Sequence, residues 1–132
     1  MTNTVSLPLS KELWELELKI ETEKWWIIYD REWECVYIKY HEELADVNNY
    51  YPAYSTDELL VVLPYKINKI DYLVIRKAFT GYYVQYWDYE SKEMIGKMNN
   101  KSLPEALALM CKYLLTNGYE FNGKEIVRKG EK

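Results

Sequence analysis

The segment 102–117 constrains the fold more than any other part of the chain. Ser102-Leu103-Pro104-Glu105 has the form of a capping box, with Ser102 as N-cap and Glu105 at N3. Pro104 sits in the first turn, where its missing N–H costs little. Leu103, Ala106, Leu107, Met110, Cys111 and Leu114 then fall on one side of a helix. Asn117-Gly118 ends it, because glycine accepts the left-handed conformation that follows a last helical turn. A helix with one apolar face needs a surface to cover, and the rest of the chain must supply it.

Four runs rich in β-branched and aromatic residues offer that surface: 24–29, 34–40, 71–77 and 81–89. Asp30-Arg31-Glu32-Trp33 separates the first pair and Ala78-Phe79-Thr80-Gly81 the second, each short enough for a hairpin, with Gly81 able to take a positive φ. Ser55-Thr56-Asp57-Glu58 is a second capping box and predicts a helix over 56–63, ended by Pro64. Residues 11–20 fit two patterns. Ser10 as a cap with Leu13, Leu16 and Ile20 fits a helix, and Trp14, Leu16, Leu18 and Ile20 fit a strand; the helix is the reading taken. The expected order is α-β-β-α-β-β-α. It describes an α+β domain in which an antiparallel sheet of about four strands, two hairpins, carries helices on one face. Residues 1–122 form the domain, since 132 residues leave little room for a second core. The charged, glycine-punctuated segment 123–132 reads as a frayed tail.

Several functions are closed off. No apolar run approaches the ~18 residues of a membrane span. The N-terminal MTNTVSLPLSKELWELEL has no basic stretch leading into an apolar core, so no secretory leader is expected and the cytoplasm is the expected location. A net charge of −4 argues against a general nucleic-acid binder. Cys35 and Cys111 lie in different elements without CxxC spacing, which reads as two free thiols rather than a disulfide or a zinc site. His41 is the single histidine and follows a strand end, the position of a solvated turn residue. The alternate carboxylates Asp30 and Glu32, and Asp88 and Glu90, stand where strands end rather than across a cleft. No glycine-rich phosphate loop is present, and Asp46-Val47-Asn48-Asn49 lacks the remaining ligands of an EF-hand. No catalytic residue, cofactor or metal site is expected. An unrecognised small enzyme, the remaining alternative, would have to be built from Glu58, His41 and Asp88.

The aromatic residues carry the positive expectation. Fourteen Tyr, five Trp and two Phe make up 16% of the chain. Tyr and Trp combine apolar area with a polar handle, which suits a binding surface; a small core filled with large side chains is the plain alternative. In 81–89, Tyr82, Val84 and Tyr86 point one way while Tyr83, Gln85, Trp87 and Tyr89 point the other. Trp25, Ile27 and Tyr29 likewise oppose Trp26 and Ile28, and Leu73 and Ile75 oppose Tyr72 and Val74. A sheet with one wet face should alternate apolar with polar residues, and these strands do not. Helices cover one face, which leaves the other to the loop around 42–54, a partner or a ligand. The expected binding residues are Trp87, Tyr83 and Tyr89, with Trp26 as a neighbour. A protein partner, a second copy in a homodimer, or a small nucleotide-type ligand would each meet the need. The last would stack on the rings, with Arg76 or Lys77 on its phosphate.

One resemblance bears on these alternatives. Pro8-Leu9-Ser10-Lys11-Glu12-Leu13, an aromatic hairpin, and Tyr54-Ser55-Thr56-Asp57-Glu58-Leu59-Leu60 with Leu63-Pro64 follow in that order. They precede Ser102-Leu103-Pro104-Glu105-Ala106-Leu107-Ala108-Leu109-Met110 with Leu114-Leu115 and Asn117-Gly118. Over residues 8–119 this resembles small uncharacterised proteins encoded by bacteriophages and prophages. It departs at 14–23, where that pattern has a glycine-ended helix and this chain has no glycine. The resemblance implies a phage accessory protein in a bacterial cytoplasm, and brings no catalytic residues with it.

Overall fold

The closing helix forms where its caps place it, as Leu103–Thr116 with Ser102 at the N-cap, and it organises the molecule. The computed structural model describes residues 4–29, 31–37, 50–69 and 71–130. Along them run α1 (Leu7–Glu15), β1 (Lys24–Tyr29), β2 (Glu32–Tyr37), β3 (Tyr50–Pro52) and α2 (Thr56–Val62). There follow β4 (Lys66–Ile67), β5 (Asp71–Ala78), β6 (Gly81–Asp88), β7 (Glu93–Asn100), α3 (Leu103–Thr116), β8 (Tyr119–Phe121) and β9 (Ile126–Arg128). The chain is α+β with antiparallel pairing, as its sequence implies. The single four-stranded sheet is not what forms. The two hairpins lie in separate sheets, ordered β2-β1-β3 and β4-β5-β6-β7, and β8 and β9 make a third.

Helix α3 is buried more widely than one stripe. Pro104, Ala106, Leu107, Ala108, Met110, Cys111, Leu114 and Leu115 all lose their contact with water. The reason is position: α3 touches β6 and β7 on one side and α1 and α2 on the other. Val84 and Tyr86 of β6 are fully buried against it, and Leu13 and Leu59 join the same core. Burial on this scale drives the fold.

Helix α1 starts earlier than the sequence pattern suggests. It begins at Leu7 rather than Lys11, with Pro8 in the first turn and Ser10 inside the helix, its hydroxyl donating to the Val5 carbonyl at 3.3 Å. It ends at Glu15, and Glu17 takes φ 70°, the left-handed conformation that glycine ordinarily supplies at a helix end. Leu18 then turns into the core, fully buried, and its carbonyl accepts the Tyr54 hydroxyl at 2.7 Å. Neither one helix nor one strand therefore spans 11–20.

Strand β7 carries no sequence signal because its distinguishing residue looks like a breaker. Val84 faces Met98 and Tyr86 faces Ile95, so Gly96 and Lys97 together oppose Gln85 in a bulge. Gly96 sits at φ 61°, and a Cβ there would meet the Tyr113 ring at 2.9 Å, so a bare backbone lets α3 lie close to the sheet. The expected frayed tail is replaced, from Gly123 to Gly130, by chain that folds back. Strand β9 pairs with β8, and Ile126 is fully buried in the main core. A three-residue strand with one apolar anchor is too short for its alternation to register.

Candidate functional site

The outer face of the second sheet is built by strand alternation. Lys66 pairs with Tyr72, Tyr72 with Trp87, Trp87 with Met94, Arg76 with Tyr83 and Tyr83 with Asn99, so all of these project away from α3. Val74 and Gln85 pair between them. No Asp or Glu occupies a strand position on this face, while three cations do, in a chain of net charge −4. The cations lie over rings: Lys66 Nζ is 5.2 Å from the Tyr72 ring centroid and Lys97 Nζ 4.6 Å from that of Tyr83.

The expected binding residues divide. Tyr83, Trp87 and Tyr89 share this face, with Trp87 and Tyr89 edge to face at 6.4 Å. Trp26 does not neighbour them. It lies in the first sheet, where its indole N–H donates to the Val5 carbonyl at 3.0 Å. Three residues join the site that sequence reading left out. Tyr72 stacks obliquely on Tyr89 at 6.2 Å, and Met94 and Lys97 come from the strand that had no signal. Tyr72 is 40% exposed, Met94 47% and Tyr89 64%, so among the described residues nothing covers the cluster. Gln85 lies at the centre and is almost wholly buried.

The aromatic residues of the first sheet behave otherwise. Trp25 and Ile27 form a small core with Val36 and Tyr50, closed by the edge of Trp14 from α1 at 6.2 Å. The two-faced aromatic pattern thus fills a core in β1 and faces solvent in β6. Residues 42–49 of the loop expected as cover lie outside the described residues, as do Asp30, Asp46 and His41. From Tyr50 onward that stretch forms β3, and Tyr54 is fully buried.

The other chemically active groups are held in structural roles. Both oxygens of Glu58 accept backbone N–H groups, Ser55 at 2.8 Å and Glu23 at 3.1 Å. Asp88 accepts the Ser91 hydroxyl at 2.7 Å and the Glu90 N–H at 2.9 Å, which hold its carboxyl below the ordinary range. Burial pushes the Cys111 thiol up, which suppresses the thiolate a nucleophile needs. Arg76 and Lys77 project from opposite faces of β5, so only Arg76 shares the aromatic face. Among the described residues no group of His, Cys, Asp and Glu is arranged to hold a metal ion, and no helix is long and apolar enough to cross a membrane. No protein-family model, curated protein or solved structure matches this chain.

Proposed function

We propose that this chain is a non-enzymatic accessory protein of the phage or prophage type. It acts in the bacterial cytoplasm and engages an acidic segment of a protein partner through the outer face of β5, β6 and β7. The observation that carries this reading is the segregation on that face. Tyr72, Tyr83, Trp87, Tyr89 and Met94 lie together, uncovered among the described residues and flanked by Lys66, Arg76 and Lys97 without a carboxylate on any strand position. Trp, Tyr and Arg are the side chains that dominate interface energetics, and a cationic rim steers an anionic partner. A second copy of the chain suits the face less well, since its cations would meet their own kind. The phage assignment rests on the sequence resemblance alone.

The test is affinity capture from bacterial lysate, followed by binding measurements with the purified captured protein. Trp87→Ala is expected to weaken binding by about 30-fold or more, the loss typical of a central aromatic. Arg76→Glu and Lys97→Glu are expected to slow association and to remove its salt dependence. Wild-type affinity in Trp87→Ala would sink the proposal, as would a dimer in light scattering that dissociates with that substitution.

A further inference from the structure

A second, chemically different site lies beyond the β4 edge of the same sheet, at the β4–β5 turn. The β4–β5 turn and the β8–β9 hairpin enclose a groove of about 610 Å³, within the usual range for small-ligand sites. It continues into a smaller hollow of about 190 Å³, and Ile67, Asn68, Tyr119 and Arg128 line both. The floor is apolar: Ile67 is 5% exposed and Ile126 fully buried. The walls are Tyr65, which is 76% exposed, and the half-buried Tyr119.

The charge in the groove is arranged, and one part of it is strained. Lys69 and Arg128 reach the groove, and among the described residues neither forms an ion pair. Lys66 also lines it, but its ammonium is turned onto the Tyr72 ring and serves the sheet face. Glu125 is the one carboxylate of the lining. Asn68 and Lys69 are consecutive left-handed residues, at φ 51° and 68°. Asn suits that conformation, and Lys does not. Lysine rarely adopts that conformation, and here it sets an ammonium beside the groove. The Asn68 amide ties the turn across the cleft. It accepts from Arg128 at 3.4 Å and from the Tyr119 hydroxyl at 3.5 Å, and donates to Asp71 at 3.3 Å.

We infer that this groove binds a small ligand consisting of a planar ring joined to an anionic group, a phosphate or a carboxylate. The ring lies against Tyr65 and Tyr119 over Ile67 and Ile126, and the anion meets Lys69 and Arg128. The groove shares Lys66 with the protein-binding face, but Tyr72, Tyr83, Trp87, Tyr89 and Met94 are not among its lining residues.

Isothermal titration of the full chain tests this, with AMP and indole-3-acetate as the two anion sources and adenosine and inorganic phosphate as the separated halves. At least one of the ring anions is expected to bind saturably, and about tenfold or more tighter than either half. Lys69→Gln is expected to weaken that binding about tenfold. Its side chain bonds nothing else among the described residues, so a folding defect does not confuse the result. Arg128→Gln is expected to act in the same direction, and Trp87→Ala to leave binding unchanged. The inference is overturned if neither ring anion saturates, if Lys69→Gln binds like wild type, or if Trp87→Ala abolishes binding.

Discussion

Asp88 closes the β6–β7 turn by accepting the Ser91 hydroxyl and the Glu90 N–H, an Asx arrangement that reinforces the backbone bond from the Lys92 N–H to the Asp88 carbonyl at 2.8 Å. Those bonds favour the charged carboxylate and hold its pKa below the ordinary 3.8. A depressed folded-state pKa means that the stabilisation is present above the unfolded value and is lost as pH falls through the folded one. Asp88→Asn is therefore expected to lower Tm at pH 7. The gap from wild type should shrink as pH drops below about 4, where the unfolded carboxyl begins to protonate. A gap that stays constant from pH 7 to pH 3 would exclude this role for the charge. The sequence pattern marks Asp88 and Glu90 only as polar residues at a strand end, which is where the structure has them. It does not reveal that Gln85 is buried, because the bulge opposite it lies in a neighbouring strand.

The elements most legible in the sequence are those whose ends are written locally. Helix α2 has both halves of its capping box, Ser55 accepting from Glu58 and Glu58 accepting from Ser55. Helix α3 has one half: Ser102 Oγ accepts the Glu105 N–H at 3.5 Å, but the Glu105 carboxylate accepts the N–H of Ser6 instead. Ser6 is the N-cap of α1, and its own side chain makes no capping bond. The acid that would complete the box on one helix thus caps another, and it marks the true start of α1 four residues before the sequence pattern places it. Such a bond lies 99 residues apart in the chain and leaves no local trace. Glu105→Ala is expected to cost about 1–2 kcal/mol, the range of a lost N-cap acceptor. Amide exchange should accelerate in the first turn of α1 as well as in α3. Exchange that rises in α3 alone would show that Glu105 acts only on its own helix. Strand β7 was illegible for a related reason: Glu93–Asn100 has weak strand propensity, and pairing with β6 overrides it.

At the scale of the molecule, the four strands of the two hairpins were legible and their sheet membership was not. Pairing β1 with β2 and β5 with β6 needs only short turns, but assigning the two hairpins to different sheets depends on tertiary contacts, with α3 against β6 and β7 and α1 against β3. The last ten residues show the same limit. Their composition reads as a solvated tail, yet β9 runs beside β8 and delivers Ile126 to the core formed by α3. The hairpin turn is set by Asn122, whose side-chain oxygen accepts the N–H groups of Lys124 at 2.8 Å and Glu125 at 2.9 Å. A chain cut back to residues 1–122 should therefore lose more than a tail. Removing Ile126 leaves an apolar cavity and exposes the edge of β8, and the expected loss is about 2–5 kcal/mol in urea unfolding. Ile126→Ala should reproduce about half or more of it, since the side chain rather than the chain length is the cause. Equal unfolding midpoints for the full and shortened chains would return residues 123–130 to the status of a tail. The truncation also removes the wall of the groove that carries Arg128, so it tests the core and the second site through the same three residues of β9.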